Sequence, residues 1–213
     1  IFKREILEEA IMEDNKDITS SHDFGKDILP KIFARCKMMA YDFSTNKLPG
    51  NDRPYWKDVG TIKAYWEAHM DLLRHPSDLT LYNNSWPIRT VSFSDPPSFT
   101  YSVEGFSSSI EGCLCAEASQ VLGASVRRSV LSRNCSILSG ADVEECIIGQ
   151  GVVIGENSRL RRVIVDAHTK IPANSVIGFE PFVSDENRVY DEESGISVIP
   201  MPKIQLRKKM EMP

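Results

Sequence analysis

The chain has 213 residues, of which 41% are apolar and 26% charged, and its formal net charge is -5. A chain of this length and apolar content can bury one sizeable core or two modest ones. The acidic balance excludes a general electrostatic attraction to nucleic acid or to an anionic membrane surface.

The cysteine spacing indicates the cellular compartment of the protein. Five cysteines lack the paired spacing of a zinc site or of a secreted disulfide framework, which favours the reducing cytoplasm. No run approaches the roughly 18 apolar residues of a membrane span, and no signal peptide is recognisable, so we expect a soluble protein. The chain opens without Met on "IFKREILEEA", directly in a helical pattern, and we expect it to be a piece of a longer protein.

The first 75 residues predict mixed α/β structure. Residues 3–13 place apolar side chains on one face of an amphipathic helix. In "TSSHDFGKDILPKIFARC" we expect Ser20 or Ser21 to cap a short helix that breaks or restarts at Pro30. "CKMMAYDFS" and "YWKDVG" predict two short strands, and Thr61 is expected to cap a helix that runs to residue 74.

A connector and a second domain follow. Prolines 76, 87, 96 and 97 and the cluster "YNNSWPIRT" remove all periodicity between residues 76 and 98. We therefore predict part of a mixed α/β domain over residues 1–75, a linker over 76–98 and a separate domain over 99–213.

The second domain carries a repeat of aliphatic residues. The gaps between them are 6, 6, 5, 6, 6, 5, 6 and 6 residues, so any three consecutive gaps sum to 17. The nine positions are Leu131, Ile137, Val143, Ile148, Ile154, Leu160, Val165, Ile171 and Ile177. Helices have a period of 3.6 residues and cannot reproduce this spacing. Leu114 and Val126 would extend two of the resulting columns backwards.

The residue two positions before each aliphatic is small or β-branched, which a three-sided coil explains. Each turn of such a coil has three short strands with one large side chain inward, and only small side chains fit beside the tight corner. The pattern is the hexapeptide-repeat signature of a left-handed parallel β-helix, with roughly four coils between residues 110 and 178. Cys135 and Cys146 then serve as small inward side chains rather than as reactive thiols.

The stretch "YWKDVGT" at 55–61 carries the clearest candidate chemistry. Asp58 has a plain structural reading, in which it interacts with backbone N–H groups near the helix start. Aromatic rings beside it are of the type that stack on sugars, and a carboxylate there can hold a hard cation on phosphate oxygens. A single protein carboxylate rarely suffices for Mg²⁺, and the sequence offers no obvious second acid.

Four motifs in order carry a family resemblance. "SSHDFGKDILP" at 20–30, "PYWKDVGTIKAYWEAHMDLL" at 54–73, "WPIRT" at 86–90 and the hexapeptide coils resemble the C-terminal half of bacterial glucose-1-phosphate adenylyltransferase. The resemblance covers nearly the entire chain, and it implies that residues 1–75 are the C-terminal, sugar-binding part of a Rossmann-like nucleotidyltransferase domain. It implies synthesis of ADP-glucose and pyrophosphate from ATP and glucose 1-phosphate for glycogen, and a homotetramer when full length.

The resemblance also implies residue roles. Asp23 and Phe24 would line the glucose pocket, Trp56 would close it, and Asp58 would act in catalysis by ligating the Mg²⁺ on the substrate phosphates. The family's glycine-rich nucleotide loop, partner aspartate and Glu-Lys pair would precede Ile1. We therefore expect this chain to be inactive alone.

Basic residues near the β-helix suggest regulation. Arg159, Arg161 and Arg162 lie near one coil edge, and Arg207 lies near the C-terminus. The plainer interpretation is that these arginines only form a solvated surface. Because enzymes of this family respond to phosphorylated metabolites, and arginines receive such dianions well, these four residues are a candidate effector site.

Three other functions remain open from sequence. A non-catalytic regulatory paralogue would keep the coils and lose site residues. A hexapeptide acyltransferase would explain the coils, with His168 as a candidate base, but not "YWKDVGT". A sugar nucleotidyltransferase with another base or sugar differs mainly at "DFGKDILP" and "WPIRT".

Overall fold

The computed structural model describes residues 1–50, 53–75, 79–179 and 187–201. The chain divides into two compact units, Ile1–Thr45 and Asn46–Pro213. Within the described residues, no helix combines the length and the apolar character needed to cross a bilayer.

The first unit is helical. Helix α1 (Arg4–Asp14) confirms the amphipathic prediction, and a π-helical turn (Phe24–Ile28) runs directly into helix α2 (Leu29–Phe33). Ala10, Ile28 and Ile32 are buried and form the small core of this unit. Pro30 lies in the first turn of α2, where its missing N–H removes no helical hydrogen bond.

Two predictions in this region are wrong. The helix cap is Asp23, rather than Ser20 or Ser21, and its carboxylate accepts the N–H of Lys26. No strand forms in "CKMMAYDFS", where only a 3₁₀ turn (Phe43–Thr45) is present. A strand needs a partner for its backbone N–H and C=O groups, and the unit Ile1–Thr45 contains none.

The second unit begins with a helix and irregular chain. Thr61 caps helix α3 (Ile62–Asp71) as predicted, and its hydroxyl accepts the N–H of Ala64, but the helix ends at Asp71 and does not reach the predicted residue 74. The strand predicted for "YWKDVG" does not form, because this segment packs beside α3 instead of pairing with a strand. Residues 79–98 contain neither helix nor strand.

Sixteen short strands follow within the described residues, each of two to four residues. In chain order they are β1 (Phe99–Tyr101), β2 (Ser109–Glu111), β3 (Leu114–Cys115), β4 (Gln120–Leu122), β5 (Ser125–Arg127), β6 (Val130–Leu131), β7 (Ser136–Ile137), β8 (Asp142–Glu144), β9 (Ile147–Ile148), β10 (Val153–Ile154), β11 (Arg159–Arg161), β12 (Val163–Val165), β13 (Lys170–Ile171), β14 (Val176–Ile177), β15 (Val189–Asp191) and β16 (Ile196–Ile199).

These strands form three sheets, and each sheet takes every third strand. The orders are β1-β4-β7-β10-β13, β2-β5-β8-β11-β14 and β3-β6-β9-β12-β16, with β15 antiparallel on the edge of the third sheet. All other pairings are parallel. The architecture is therefore a parallel β-helix of five turns, one more than the sequence predicts, because the first turn begins at Phe99 and the last closes with β16.

The interior confirms the predicted columns. Val126, Val143 and Leu160 stack in register, as do Ile137, Ile154 and Ile171. The small side chains also point inward, and Ser129, Cys135, Cys146 and Ser158 are fully buried. The predicted place of Leu114 is wrong, since Cys115, not Leu114, pairs with Leu131. The corner at Gly123 is one residue shorter than its counterparts, which shifts earlier residues by one position.

One column of corners in the β-helix carries charged side chains. Arg128, Glu145 and Arg162 occupy equivalent corners of successive turns, and all three have left-handed backbone angles, with φ of 42°, 53° and 54°. Such angles are uncommon for residues other than glycine and mark the sharp bend that a three-sided coil requires. The side chains at these corners therefore stack along one edge of the β-helix.

Candidate active site

The sugar-side candidates in the first unit lie where a loop enters the π-helical turn. Asp23 caps this turn, with Oδ1 accepting the N–H of Lys26 at 2.8 Å, and its own N–H donates to Oδ2 of Asp27 at 3.0 Å. Phe24 is 43% exposed, and its ring contacts that of Phe2 with 6.0 Å between centroids. An accessible carboxylate and an adjacent accessible ring are the groups that bind a sugar's hydroxyls and its apolar face.

The metal-side candidates lie in the second unit, just before α3. Oδ1 of Asp58 accepts the N–H of Gly60 at 3.1 Å, which closes a turn of the kind aspartate favours. Across the described residues, Oδ2 of this carboxylate has no hydrogen-bond partner. Trp56 is 74% exposed, so this turn presents an indole and a carboxylate oxygen to solvent together. The structural reading of Asp58 and the functional one are thus compatible, since each uses a different oxygen.

Lys57 fixes this turn to helix α3. Its Nζ lies 2.8 Å from Oδ2 of Asp71 and 3.6 Å from Oε2 of Glu67, so the lysine bridges to the helix that follows it. Burial lowers the pKa of Lys57, but the hydrogen bond to Asp71 and the nearby negative charges together raise it above its usual value. Lys57 therefore stays charged and holds the segment between Trp56 and Asp58.

Helix α3 is in turn attached to the β-helix. The indole Nε1 of Trp66 donates to the backbone carbonyl of Glu145 at 2.8 Å, and the guanidinium of Arg162 lies 4.5 Å from the indole ring centre. Arg162 also donates to the carbonyl of Ser194 at 3.0 Å. Trp66 thus connects the helix after Asp58 to one corner column of the coil.

The predicted effector arginines have different surroundings. Arg162 is committed to Trp66, to Ser194 and, at 3.9 Å, to Glu145. Arg161 is half exposed, with Glu144 at 4.0 Å, and Arg159 stacks its guanidinium over the ring of Phe179 at 4.5 Å. Arg207 lies outside the described residues.

The candidate metal site fits a divalent ion only in part. No group of three or more His, Cys, Asp or Glu side chains comes together within the described ranges. Asp58 offers one free carboxylate oxygen, which suits a hard cation, but such an ion takes several oxygen ligands. The remaining ligands would have to come from substrate phosphates and from an acid outside this set.

The thiols and the β-helix histidine do not add chemistry. Burial raises the pKa of Cys146 to about 12 and also raises that of Cys135, so neither forms a thiolate readily. His168 is an exposed corner residue with φ of 59°, and its ring lies against Gly151. The described contacts give this imidazole no partner that would orient it as a base.

Two features of the site were missed from the sequence. The bridge from Lys57 to Asp71 joins residues 14 apart, which is too far for a helix-spacing argument. The cluster around buried Asp14 joins α1 to the loop before Asp23 and to Lys31 in α2. The sequence gives one signal for Asp14, which is that a charged residue lies on an otherwise apolar face of the helix.

Two protein families match successive parts of the chain. Residues 1–75 match the nucleotidyl transferase family, and residues 95–199 match the GlmU-like C-terminal hexapeptide family. Glucose-1-phosphate adenylyltransferase 1 of Vibrio parahaemolyticus is 43% identical over 94% of this chain and 49% of its own length.

Two further relatives carry the same name. The glucose-1-phosphate adenylyltransferase of Aliivibrio fischeri is 41% identical over 92% of the chain and 47% of its own length. That of Francisella tularensis subsp. novicida is 35% identical over 98% and 50%. The chain spans about half the length of the curated relatives it matches. Because these relatives match 92–98% of the chain at 35–43% identity, the chain belongs to the glucose-1-phosphate adenylyltransferase family.

Proposed function

We propose that the complete enzyme containing this chain joins ATP and glucose 1-phosphate to give ADP-glucose and pyrophosphate, for glycogen synthesis. The proposal rests on the turn at Trp56 and Asp58, which presents an exposed indole and a carboxylate oxygen that has no hydrogen-bond partner among the described residues. The reaction needs chiefly positioning and charge neutralisation, and no covalent intermediate with the protein. This chain supplies groups for the sugar and for the metal.

Four residues take distinct roles in this proposal. Asp23 accepts hydrogen bonds from the glucose hydroxyls, and Phe24 packs against the apolar face of the ring. Trp56 covers the sugar. The exposure of Phe24 and Trp56 supports these roles, because large apolar side chains that remain accessible are available to a ligand.

Asp58 is proposed as one ligand of Mg²⁺. A bound Mg²⁺ would neutralise phosphate charge as the α-phosphorus of ATP is attacked by the phosphate of glucose 1-phosphate. The chain's own contribution is to hold the carboxylate still, through the N–H of Gly60 on one oxygen and through the bridge from Lys57 to Asp71.

We also propose a phosphorylated metabolite as effector, bound through Arg159, Arg161, Arg162 and Arg207. The half-exposed guanidinium of Arg161 supports this, since its ion pair with Glu144 is a long one, at 4.0 Å. Arg162 would transmit binding, because it already contacts Trp66 on α3. A homotetramer in the cytoplasm is proposed by family resemblance. If charge reversal at Arg159 and Arg161 left the effector response of the full-length gene product unaltered, this site would be discarded.

The sugar assignment is tested by steady-state kinetics of the full-length gene product. Asp23→Ala should raise KM for glucose 1-phosphate about tenfold or more, since a charged acceptor of substrate hydroxyls is lost, while KM for ATP stays within about twofold. Glu8→Ala, which removes an exposed carboxylate on α1, is the control. Equal changes in both KM values, or none, would reject the assignment.

A further inference from the structure

A buried carboxylate lies behind the loop that carries Asp23. Asp14, at the end of α1, is 2% exposed, and three donors reach it: Nζ of Lys31 at 2.6 Å, the hydroxyl of Ser20 at 2.8 Å and Nδ1 of His22 at 2.8 Å. The hydrogen bonds from Lys31 and then His22 hold the pKa of Asp14 down to about 2. The carboxylate is therefore ionised at neutral pH, and it holds the loop from the α1 side.

A second carboxylate holds the same loop from the other side. Oδ2 of Asp27, in the π-helical turn, accepts the N–H of Asp23 at 3.0 Å, the N–H of Ser21 at 3.1 Å and the hydroxyl of Ser21 at 2.5 Å. The hydroxyl of Ser21 contributes most to the lowered pKa of Asp27. Asp14 and Asp27 thus bind alternate residues along residues 20–23, which we call the clamped loop.

The backbone between these contacts is held in an uncommon conformation. His22 has φ of 59°, a left-handed angle that residues other than glycine seldom adopt. Such a conformation persists only where the surroundings enforce it, and it concentrates at functional sites. Here it directs the His22 ring back to Asp14 and sets the next residue, Asp23, as the cap of the turn.

We infer that Asp14 and Asp27 are positioning residues for glucose-1-phosphate binding: they fix the clamped loop, so that Asp23 and Phe24 stand in their binding arrangement before the sugar arrives. The inference rests on the proposed function, because it assumes that Asp23 contacts the sugar. A loop ordered in advance avoids the loss of conformational entropy on binding, which otherwise weakens affinity. Its loss should therefore affect the sugar substrate and leave the nucleotide substrate unaffected.

The test compares KM values for the two substrates in the full-length gene product. Asp27→Ala removes three hydrogen bonds from the clamped loop and should raise KM for glucose 1-phosphate about tenfold, with KM for ATP within about twofold. Asp27→Asn keeps an acceptor oxygen for the two N–H groups and should stay within about threefold of the unmodified protein. Glu13→Gln, next to Asp14 but directed to Arg35, is a control that should change neither value.

A second variant separates positioning from stability. His22→Gly removes the bond to Asp14 but tolerates the left-handed angle, so thermal stability should change little while KM for glucose 1-phosphate rises. His22→Asn, which also tolerates this angle and can still donate to Asp14, should largely restore KM. This pair keeps the inference testable even if Asp27→Ala fails to fold.

The outcomes distinguish this inference from the proposed function. If Asp23→Ala raises KM for glucose 1-phosphate but Asp27→Ala and His22→Gly do not, the clamp is refuted and the sugar assignment stands. If the clamp variants raise both KM values equally, or only lower thermal stability, their role is structural and the inference is overturned. If Asp23→Ala itself has no effect, the sugar assignment fails and the inference fails with it.

Discussion

The attachment of helix α3 to the β-helix can be tested at Trp66. The indole N–H donates to the carbonyl of Glu145 at 2.8 Å, and the guanidinium of Arg162 stacks 4.5 Å from the ring centre. Trp66→Phe removes the hydrogen bond, worth about 0.5–1.5 kcal/mol net, but keeps an aromatic ring. It also weakens the cation–π contact, worth about 0.5–1 kcal/mol for a partly exposed pair. We expect a total loss of about 1–2 kcal/mol.

Native-state hydrogen exchange measures this loss where it occurs. Amides of α3 should lose about 5- to 30-fold protection in Trp66→Phe, because 1–2 kcal/mol changes an opening equilibrium by that factor. Amides in the interior strands β7 and β10 should be unaffected. Trp86→Phe is the control, since the described contacts give its indole N–H no acceptor and the ring is 54% exposed. Unchanged protection of α3 in Trp66→Phe, or equal losses in both variants, would refute the attachment through Trp66.

Three further predictions concern stability. Ile148→Ala, at a fully buried position, should lower the free energy of unfolding by about 2–5 kcal/mol, whereas Ile110→Ala, at a 39% exposed one, should cost about 1 kcal/mol or less, as chemical denaturation would show. The folded-state pKa of Asp14 is depressed to about 2, so its stabilising contribution is full above pH 4 and disappears as pH falls towards 2; acid unfolding of Asp14→Asn should lack this component, and identical acid transitions would contradict it. Gly178→Ala should destabilise the last turn, because a Cβ there would lie 1.8 Å from the carbonyl oxygen of Arg161 at φ of 86°; normal exchange protection of β14 would count against this.

The β-helix was predictable because its repeat is local. Large and small inward residues that alternate at 6-6-5 spacing indicate a three-sided coil. The register of the paired strands confirms this coil from Val126 to Ile177. The prediction failed at Leu114, where one corner is a residue shorter and every earlier position shifts. A spacing rule cannot anticipate the length of a corner that departs from the repeat.

Whether the two segments before the β-helix form strands was not predictable from their own residues. "CKMMAYDFS" and "YWKDVG" have the composition of strands, but strand formation depends on a partner, and the local chain provides other contacts. Lys57, for example, binds Asp71 on a helix that comes later in the sequence. The composition of a segment shows that it can form a strand, but whether it does so depends on a second strand with which it can pair.

The candidate site also contains some residues that the sequence could predict and others that it could not. Asp23, Phe24, Trp56 and Asp58 were found from motif resemblance, which depends only on sequence order. The groups that hold them, Asp14, Asp27 and Lys57, act through contacts between separate elements and were not found. The arginine cluster shows most clearly what sequence order cannot predict, because Arg162 contacts Trp66, which lies nearly a hundred residues earlier in the chain.

The most direct test of the account is Asp58→Asn in the full-length gene product, assayed for magnesium-dependent ADP-glucose synthesis. Asparagine can still accept the N–H of Gly60 but cannot supply a charged ligand, so kcat should fall about a hundredfold or more, with a higher Mg²⁺ requirement. Asp42→Asn is matched to it, since Asp42 is also exposed and accepts an N–H two residues later, from Ser44 at 3.0 Å, and it should keep full activity. Unchanged magnesium-dependent synthesis in Asp58→Asn would contradict the proposal that Asp58 is a ligand of Mg²⁺.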